Sequence, residues 1–272
     1  MYTNLVNRIL TSILIVLITT VCVYYNNFTF LILYFFISIF SLIELYNIFN
    51  KTIYKINYYI YIINGIIIYF LYSLILIFQY SEKYFIIIIP LILLSMIFSI
   101  FHSTKYAINN IFIGTGILMY ILIGFLSFIS IKFIQKTDNN FIIIGILTII
   151  WIYDSSSYLF GSLIGKTIII KSISPNKTWE GLLCGSITSI YLSIQINYII
   201  QSILDCYDWI IISIIIILFG TLGDFIESNI KRNLNIKDTS HIFPGHGGFL
   251  DRFDSLILSS PFILSYITIK YL

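Results

Sequence analysis

Long runs of apolar residues recur along the whole chain, and short polar segments separate them. Each run has about 20 residues, the length that an α-helix needs to cross roughly 30 Å of hydrocarbon. The runs do not alternate between apolar and polar positions, as the strands of a membrane β-barrel would. The pattern therefore predicts about nine transmembrane helices, at residues 9–25, 28–49, 56–79, 84–101, 111–133, 141–160, 179–202, 209–230 and 255–271.

Composition supports this all-α, polytopic integral membrane fold. Of 272 residues, 59% are hydrophobic and 10% are charged, whereas a soluble domain has about 25% charged residues. The three cysteines form no CxxC pair, which argues against a disulfide framework or a zinc site. The net charge of +3 is spread over many loops, so no nucleic-acid partner is predicted.

Positive charges predict the orientation, because cytoplasmic loops carry most lysines and arginines. With the N-terminus inside, only four of the 15 fall on the outer side: Lys83, Lys132, Lys136 and Lys270. The N-terminus is therefore predicted to be cytoplasmic and the C-terminus external. The first half has one charge deep inside an apolar run, Glu44, which is expected to reach the membrane interface near its helix end.

Polar residues concentrate in three segments of the second half, all on the predicted cytoplasmic side. The first, residues 153–181, carries Asp154 within an apolar run, where an acid is costly and usually functional or paired. Gly161 and Gly165 form a GxxxG pair, for which close helix packing is an equally good interpretation. The following "SISPNKTWEG" offers Lys177 to an anion and Thr178 to begin the next helix.

The second segment, residues 220–232, has acids and cations on one helical face. Asp224, Glu227, Ser228 and Lys231 are spaced i, i+3, i+4 and i+7, with Arg232 beside them. The simpler alternative is that an acid pairs with Lys231 or Arg232 within the helix.

The third segment is "FPGHGGFLDRFDS", residues 243–255, in which Asp251 and Asp254 share one face at the start of the last helix. A short hairpin would bring Asp224 and Asp251 toward each other, and Mg²⁺ prefers such carboxylates together with phosphate oxygens. Glycine amides in this loop could bind an anion. His246 is either a donor to phosphate or structural, and zinc fits less well than magnesium because only His241 is near. No Walker A sequence is present, so an ATP-driven pump is unsupported.

Residues 228–254 resemble the signature of the phosphatidate cytidylyltransferase family, also called CDP-diacylglycerol synthases. The matching positions are Ser228, Lys231, Arg232, Lys237, Asp238, Ser240, Pro244, His246, Gly247, Gly248, Asp251, Arg252 and Asp254. The segments "DSSSYLFGSLIGK" and "SISPNKTWEG" are also similar to family segments, so the resemblance covers about residues 154–255. The first 140 residues carry no family motif.

The resemblance implies an enzyme of phospholipid biosynthesis that joins CTP and phosphatidate to give CDP-diacylglycerol and pyrophosphate. Residues 1–140 would then be N-terminal membrane helices, and residues 141–272 the catalytic region. Mg²⁺ is the expected cofactor, held by Asp224 and Asp251, with a second metal ion left open. The predicted catalytic residues are Asp224, Asp251, His246, Lys231, Arg232 and Asp254. The predicted substrate-binding residues are Asp154, Ser174, Lys177, Ser228, Lys237, Asp238, Gly247, Gly248 and Arg252.

The expected location is the bilayer of a bacterial cytoplasmic membrane, with the active site on the cytoplasmic side. Assembly, including a homodimer, is left open. Two alternatives remain: a secondary transporter, although no inverted repeat is visible, and a sister activity on ether-linked or isoprenoid phosphatidate. The second would use the same headgroup site.

Overall fold

The computed structural model describes residues 2–51, 56–80, 88–102, 107–134, 139–200, 203–236, 238–240, 242–243 and 247–271. Within these ranges the chain is almost entirely helical. The helices are α1 (Tyr2–Tyr25), α2 (Asn27–Phe49), α3 (Tyr58–Ile77), α4 (Ile88–His102), α5 (Ala107–Lys132), α6 (Asn140–Ile164), α7 (Trp179–Ile199), α8 (Cys206–Ile215), α9 (Thr221–Asn233) and α10 (Leu250–Tyr271). A π-helical turn, Ile216–Gly220, joins α8 to α9.

In its described residues, each of the nine predicted apolar runs overlaps a helix, and α8, the π-helical turn and α9 together account for one run. Six helical segments in the described part of the chain are long and apolar enough to cross a membrane. They are Asn27–Phe49, Tyr58–Ile77, Ile108–Lys132, Asn140–Ile164, Trp179–Ile199 and Cys206–Asn233. The chain is therefore a multi-pass membrane protein, while the count of nine spans and the orientation of the termini stay predictions.

One element was not predicted. Residues read from the sequence as a polar connector contain a two-stranded antiparallel sheet, β1 (Ile168–Ile170) and β2 (Ser174–Thr178). Glu180 supports its base by accepting hydrogen bonds from the backbone amides of Lys166 (3.1 Å) and Thr167 (3.2 Å). The all-α prediction thus needs this small correction, because strands of three and five residues are too short to show a period-two pattern.

Contacts divide the chain into two compact units. The first comprises Met1–Ser130 and Leu234–Phe253, and the second comprises Ile131–Asn233 and Asp254–Leu272. The segment 141–272, predicted to be catalytic, therefore contributes to both units. The functional division at residue 140 itself stays a prediction.

Buried aromatic side chains and a capped helix organise the first unit. The side chain of Asn26 caps α2 by accepting a hydrogen bond from the amide of Thr29 (2.7 Å), which satisfies a backbone donor that the helix leaves unpaired. Tyr34 is fully buried, with its ring centre 4.9 Å from that of Phe128. The hydroxyl of the fully buried Tyr46 donates to the carbonyl of Gly114 (2.8 Å), so α2 and α5 are joined inside the unit.

Small residues bring α6 and α7 together in the second unit. A Cβ atom at Gly181 would lie 2.6 Å from the carbonyl oxygen of Ser157 and 2.8 Å from the Cα atom of Gly161. A Cβ atom at Gly165 would overlap the backbone of α6, and its next neighbour would be the hydroxyl of Thr178, the residue that caps α7. The GxxxG pair therefore serves close packing, as one of its two interpretations predicted.

Candidate active site

In the first unit, Asp251 is held by a dense set of donors. It lies in the first turn of α10, and its Oδ2 atom accepts from the amide of Thr239 (3.0 Å), the hydroxyl of Thr239 (2.7 Å) and the amide of Gly248 (2.8 Å). Hydrogen bonds to an ionised acceptor are strong and geometrically selective. They fix the orientation of this predicted metal ligand before any substrate binds.

Two glycines allow the backbone to come this close to the carboxylate. Gly247 has φ +80, in the left-handed region that favours glycine, and a Cβ atom there would overlap the Asp251 carboxylate. A Cβ atom at Gly248 would overlap the carboxylate of Glu44 and the hydroxyl of Thr239. The pair predicted to bind substrate through its amides thus packs against two acids, and the amide of Gly248 is used by Asp251.

Glu44 of α2 is part of this arrangement, and the sequence-based prediction for it was wrong. The side chain does not reach an interface: the residue is 4% exposed. It accepts from the hydroxyls of Ser240 (2.7 Å) and Thr239 (3.1 Å) and from the amides of Phe249 and Leu250 (both 3.0 Å). The only sequence signal for this was a lone acid inside an apolar run. We call Glu44, Thr239, Ser240, Gly248 and Asp251 the loop cluster.

In the second unit, Asp224 is paired with the hairpin. It forms an ion pair with Lys177 of β2, and it accepts from the hydroxyl of Ser228 at 3.1 Å. The ammonium of Lys177 also lies 4.7 Å from the centre of the Phe225 ring. A strand that was not predicted therefore supplies the cation for one of the two predicted metal ligands.

Asp254 interacts electrostatically with this ion pair and with Asp154. Burial raises the pKa of Asp254, the carboxylates of Asp224 and Asp154 raise it further, and Lys177 lowers it. A Cβ atom at Gly223 would lie 2.6 Å from the Asp254 carbonyl oxygen, so glycine is what lets α9 approach α10 here. We call Asp154, Asp224, Asp254 and Lys177 the carboxylate cluster; Lys177 pairs with Asp224, and Asp254 interacts with all three of the other residues.

The two predicted catalytic cations of α9 have structural partners. Lys231 forms an ion pair of 2.9 Å with Glu227, which is 2% exposed, as the within-helix alternative predicted. The Nε atom of Arg232 donates to the carbonyl of Ile173, between the two hairpin strands (3.2 Å). Neither contact tests a catalytic role, which stays a prediction for both residues.

The other predicted residues are less constrained or lie outside the described part. Ser174 begins β2 and is half-buried, while Asp238 and Arg252 are exposed. His246 and Lys237, together with His241, lie outside the described residues.

A magnesium ion fits the chemistry of the carboxylate cluster. Mg²⁺ takes one or two carboxylates and completes its octahedron with water and phosphate oxygens. Even with the pKa of Asp254 raised, Asp154 and Asp224 outnumber the single lysine, which leaves negative charge for a cation to offset. Among the residues that the structure describes, no three His, Cys, Asp or Glu side chains converge as a metal-ligand set. Asp224 and Asp251 stay the predicted ligands.

Comparison with known proteins identifies the family. The model of the Cytidylyltransferase family matches residues 6–270. The chain belongs to this family. The resemblance seen in residues 154–255 is thereby confirmed, and the match extends to the N-terminal helices that carry no recognisable motif.

Curated relatives carry a more specific name. Proteins named phosphatidate cytidylyltransferase are similar over 144 residues, with 38% identity in Staphylococcus haemolyticus (strain JCSC1435) and 36% in Staphylococcus aureus (strain COL). A protein of the same name from Staphylococcus epidermidis (strain ATCC 12228 / FDA PCI 1200) is 35% identical over the same length. These alignments cover 53% of this chain and 54% of each relative, so the chain spans about half the length of the curated relatives it matches.

Proposed function

We propose that this protein is a CTP:phosphatidate cytidylyltransferase, which condenses CTP and phosphatidate to CDP-diacylglycerol and pyrophosphate. The observation that carries the proposal is Asp251, an acid oriented by three hydrogen bonds on a Gly-Gly loop at the start of a helix. Family membership and the name of the staphylococcal relatives support the same reaction.

The reaction requires alignment more than proton transfer. An oxygen of the phosphatidate phosphate attacks the α-phosphorus of CTP, and the bond from this phosphorus to the oxygen that bridges it to the β-phosphorus breaks. Pyrophosphate leaves with the electrons of that bond. Because the attacking phosphate is already anionic near neutral pH, no strong general base is needed. The protein's task is to hold the reactants in line and to offset negative charge.

The residues divide this task between them. Mg²⁺, when bound, neutralises phosphate charge and aligns the phosphate oxygens. Asp224 and Asp251 are proposed to hold it, and Lys177 and Arg252 to attract the phosphates. Asp154 and Asp224 are proposed to supply the negative charge of this cluster, which raises the pKa of Asp254. His246, Lys237, Asp238 and Ser174 complete the proposed substrate contacts.

The direct test is turnover by the purified protein in detergent. With labelled CTP, Mg²⁺ and phosphatidate, we expect CDP-diacylglycerol and pyrophosphate in equal amounts, and loss of both when EDTA removes the metal. The controls are the same preparation from cells with empty vector and the Asp251→Asn variant. Absence of product from intact, folded protein would reject the proposal. Ether-linked and isoprenoid phosphates, supplied in parallel, would separate the sister activities.

We also propose that the enzyme lies in the bacterial cytoplasmic membrane with its site facing the cytoplasm. In a variant without Cys22, Cys184 and Cys206, single cysteines at exposed positions can be labelled by an impermeant maleimide. Lys171→Cys in the hairpin should react only after the membrane is opened, whereas Tyr80→Cys after α3 should react from outside. The reverse pattern would invert the orientation.

A further inference from the structure

An acid from α2 holds the loop that leads into α10. We propose that Glu44 is a positioning residue that sets the orientation of Asp251. The inference rests on the proposed function only where it predicts an effect on turnover. Its structural part concerns the loop cluster alone and does not depend on turnover.

The first argument is where the partners of Glu44 lie. The hydrogen bonds described for its carboxylate come from residues 195 to 206 positions further along the chain. A buried charge is costly unless hydrogen bonds compensate it, and here three donors do so, with a fourth, the Thr239 hydroxyl, shared with Asp251. The neighbouring residues Leu42 and Leu45 of α2 are buried, so an apolar side chain at position 44 would suit the packing of this helix. The acid therefore serves the loop.

The second argument is how the contact reaches Asp251. Glu44 accepts from the amides of Phe249 and Leu250, the two residues immediately before Asp251. These amides belong to the helix start, where backbone donors have no partner within the helix. Fixing them fixes the direction in which α10 begins.

The third argument is a shared hydroxyl. Thr239 Oγ1 lies 2.7 Å from Asp251 Oδ2 and 3.1 Å from Glu44 Oε2. A hydroxyl has one proton to donate, so the two acids draw on the same donor. Removal of Glu44 would leave this hydroxyl, and the Thr239 amide beside it, with one restraint fewer on their position against Asp251.

A separate contact keeps the segment docked when Glu44 is replaced. The ring of Phe249 stacks on Phe40, one turn earlier in α2, with 5.1 Å between centres and 10° between planes. The ring of Phe253 also packs near the rings of Tyr34 and Phe125, with 6.3 Å and 6.2 Å between ring centres. Variants at Glu44 are therefore expected to loosen the loop and turn Asp251 while the start of α10 remains attached.

Hydrogen exchange of the metal-free protein tests the structural part. In Glu44→Ala we expect the amides of Thr239, Gly248, Phe249 and Leu250 to exchange about tenfold faster, because bonds to a charged acceptor are lost. Glu44→Gln keeps the volume and one acceptor oxygen and should fall between Ala and wild type. Tyr46→Phe is the matched control, since it removes a buried hydrogen bond from the same helix without touching the loop. Exchange in the loop that is unchanged, or raised equally throughout α2 and α5, overturns the proposal.

Magnesium titration tests the consequence for Asp251. We expect Glu44→Ala to need about tenfold more Mg²⁺ for half-maximal turnover, an effect of the size seen when outer-shell partners of metal ligands are lost. Tyr46→Phe should leave this concentration unchanged, and Glu44→Ala should not lower the residual activity of Asp251→Asn further. A fall in turnover with the same magnesium requirement would assign Glu44 to general stability and overturn its positioning role.

The hydrogen-exchange and magnesium experiments also distinguish failure of the Glu44 proposal from failure of the proposed function. Wild-type protein without CDP-diacylglycerol synthesis would reject the proposed function, while the exchange measurement would still decide the role of Glu44. If Glu44→Ala is not recovered folded, Glu44→Gln decides both arms against wild type and Tyr46→Phe.

Discussion

The loop cluster and the carboxylate cluster hold their acids by different means. In the loop cluster, Asp251 and Glu44 are satisfied by backbone amides and hydroxyls, and close packing demands glycine. In the carboxylate cluster, Asp224 pairs with Lys177 and Asp254 interacts with both, so charge balance dominates. Steric fit therefore determines the arrangement of the loop cluster, and net charge determines that of the carboxylate cluster. Added volume should therefore disturb the loop cluster, whereas loss of the lysine charge should disturb the carboxylate cluster.

The largest effects are expected at the two predicted metal ligands. Asp251→Asn and Asp224→Asn each preserve side-chain size but remove the charge that would hold Mg²⁺. We expect turnover to fall by about 100-fold or more in each, with unchanged membrane insertion and expression. The radiolabelled CTP assay measures the loss, and near-wild-type turnover of either variant would remove that residue from the metal site.

Gly247→Ala tests the role of shape in the loop cluster. The added methyl group meets the Asp251 carboxylate, and φ +80 is unfavourable for alanine. We expect turnover to fall between about 10- and 100-fold, because small displacements of a catalytic group are costly. Gly116→Ala in α5 is the matched control, since nothing lies within 4 Å of its Cβ position. Equal activity of both variants would contradict the tight packing around Gly247.

Lys177→Met tests charge in the carboxylate cluster. Without the ammonium, the acids around it repel one another unopposed, and the proposed phosphate contact is lost. We expect turnover to fall roughly five- to tenfold, mainly through a higher KM for CTP. Lys171→Met, which removes the same charge from the exposed turn of the hairpin, should behave as wild type. A similar loss in both variants would indicate a general effect of positive charge.

The smallest effect is expected where a predicted catalytic cation has a structural partner. Lys231→Met leaves the buried carboxylate of Glu227 without its ion-pair partner, which costs up to a few kcal/mol of stability. The double variant Lys231→Met/Glu227→Leu removes both charges. We expect it to regain the thermal stability lost in the single variant and turnover within about threefold of wild type. Restored stability with persistently low turnover would instead support the predicted catalytic role of Lys231.

The sequence predicted the helices well because apolar runs of 20 residues leave few alternatives in a membrane. The pair of Glu227 and Lys231 is one of the within-helix pairings that the sequence offered as an alternative, since helix geometry alone sets that contact. The sequence did not predict contacts between residues that are far apart along the chain. The partner of Asp224 is Lys177, which lies on a hairpin too short to give a pattern. The partners of Glu44 lie at least 195 residues away, and no local rule connects them.

The buried position of Glu44 limits how far this protein can be shortened. All recognised motifs lie after residue 153, so a fragment of residues 141–272 would look complete to a motif search. Such a fragment would still lack the acceptor for the amides of Phe249 and Leu250, and the aromatic surface of α2 on which Phe249 stacks. Residues of α2 that carry no family motif thus help to hold the motif loop before α10 in its conformation. An enzyme engineered from this scaffold has to keep α2 together with the loop it holds.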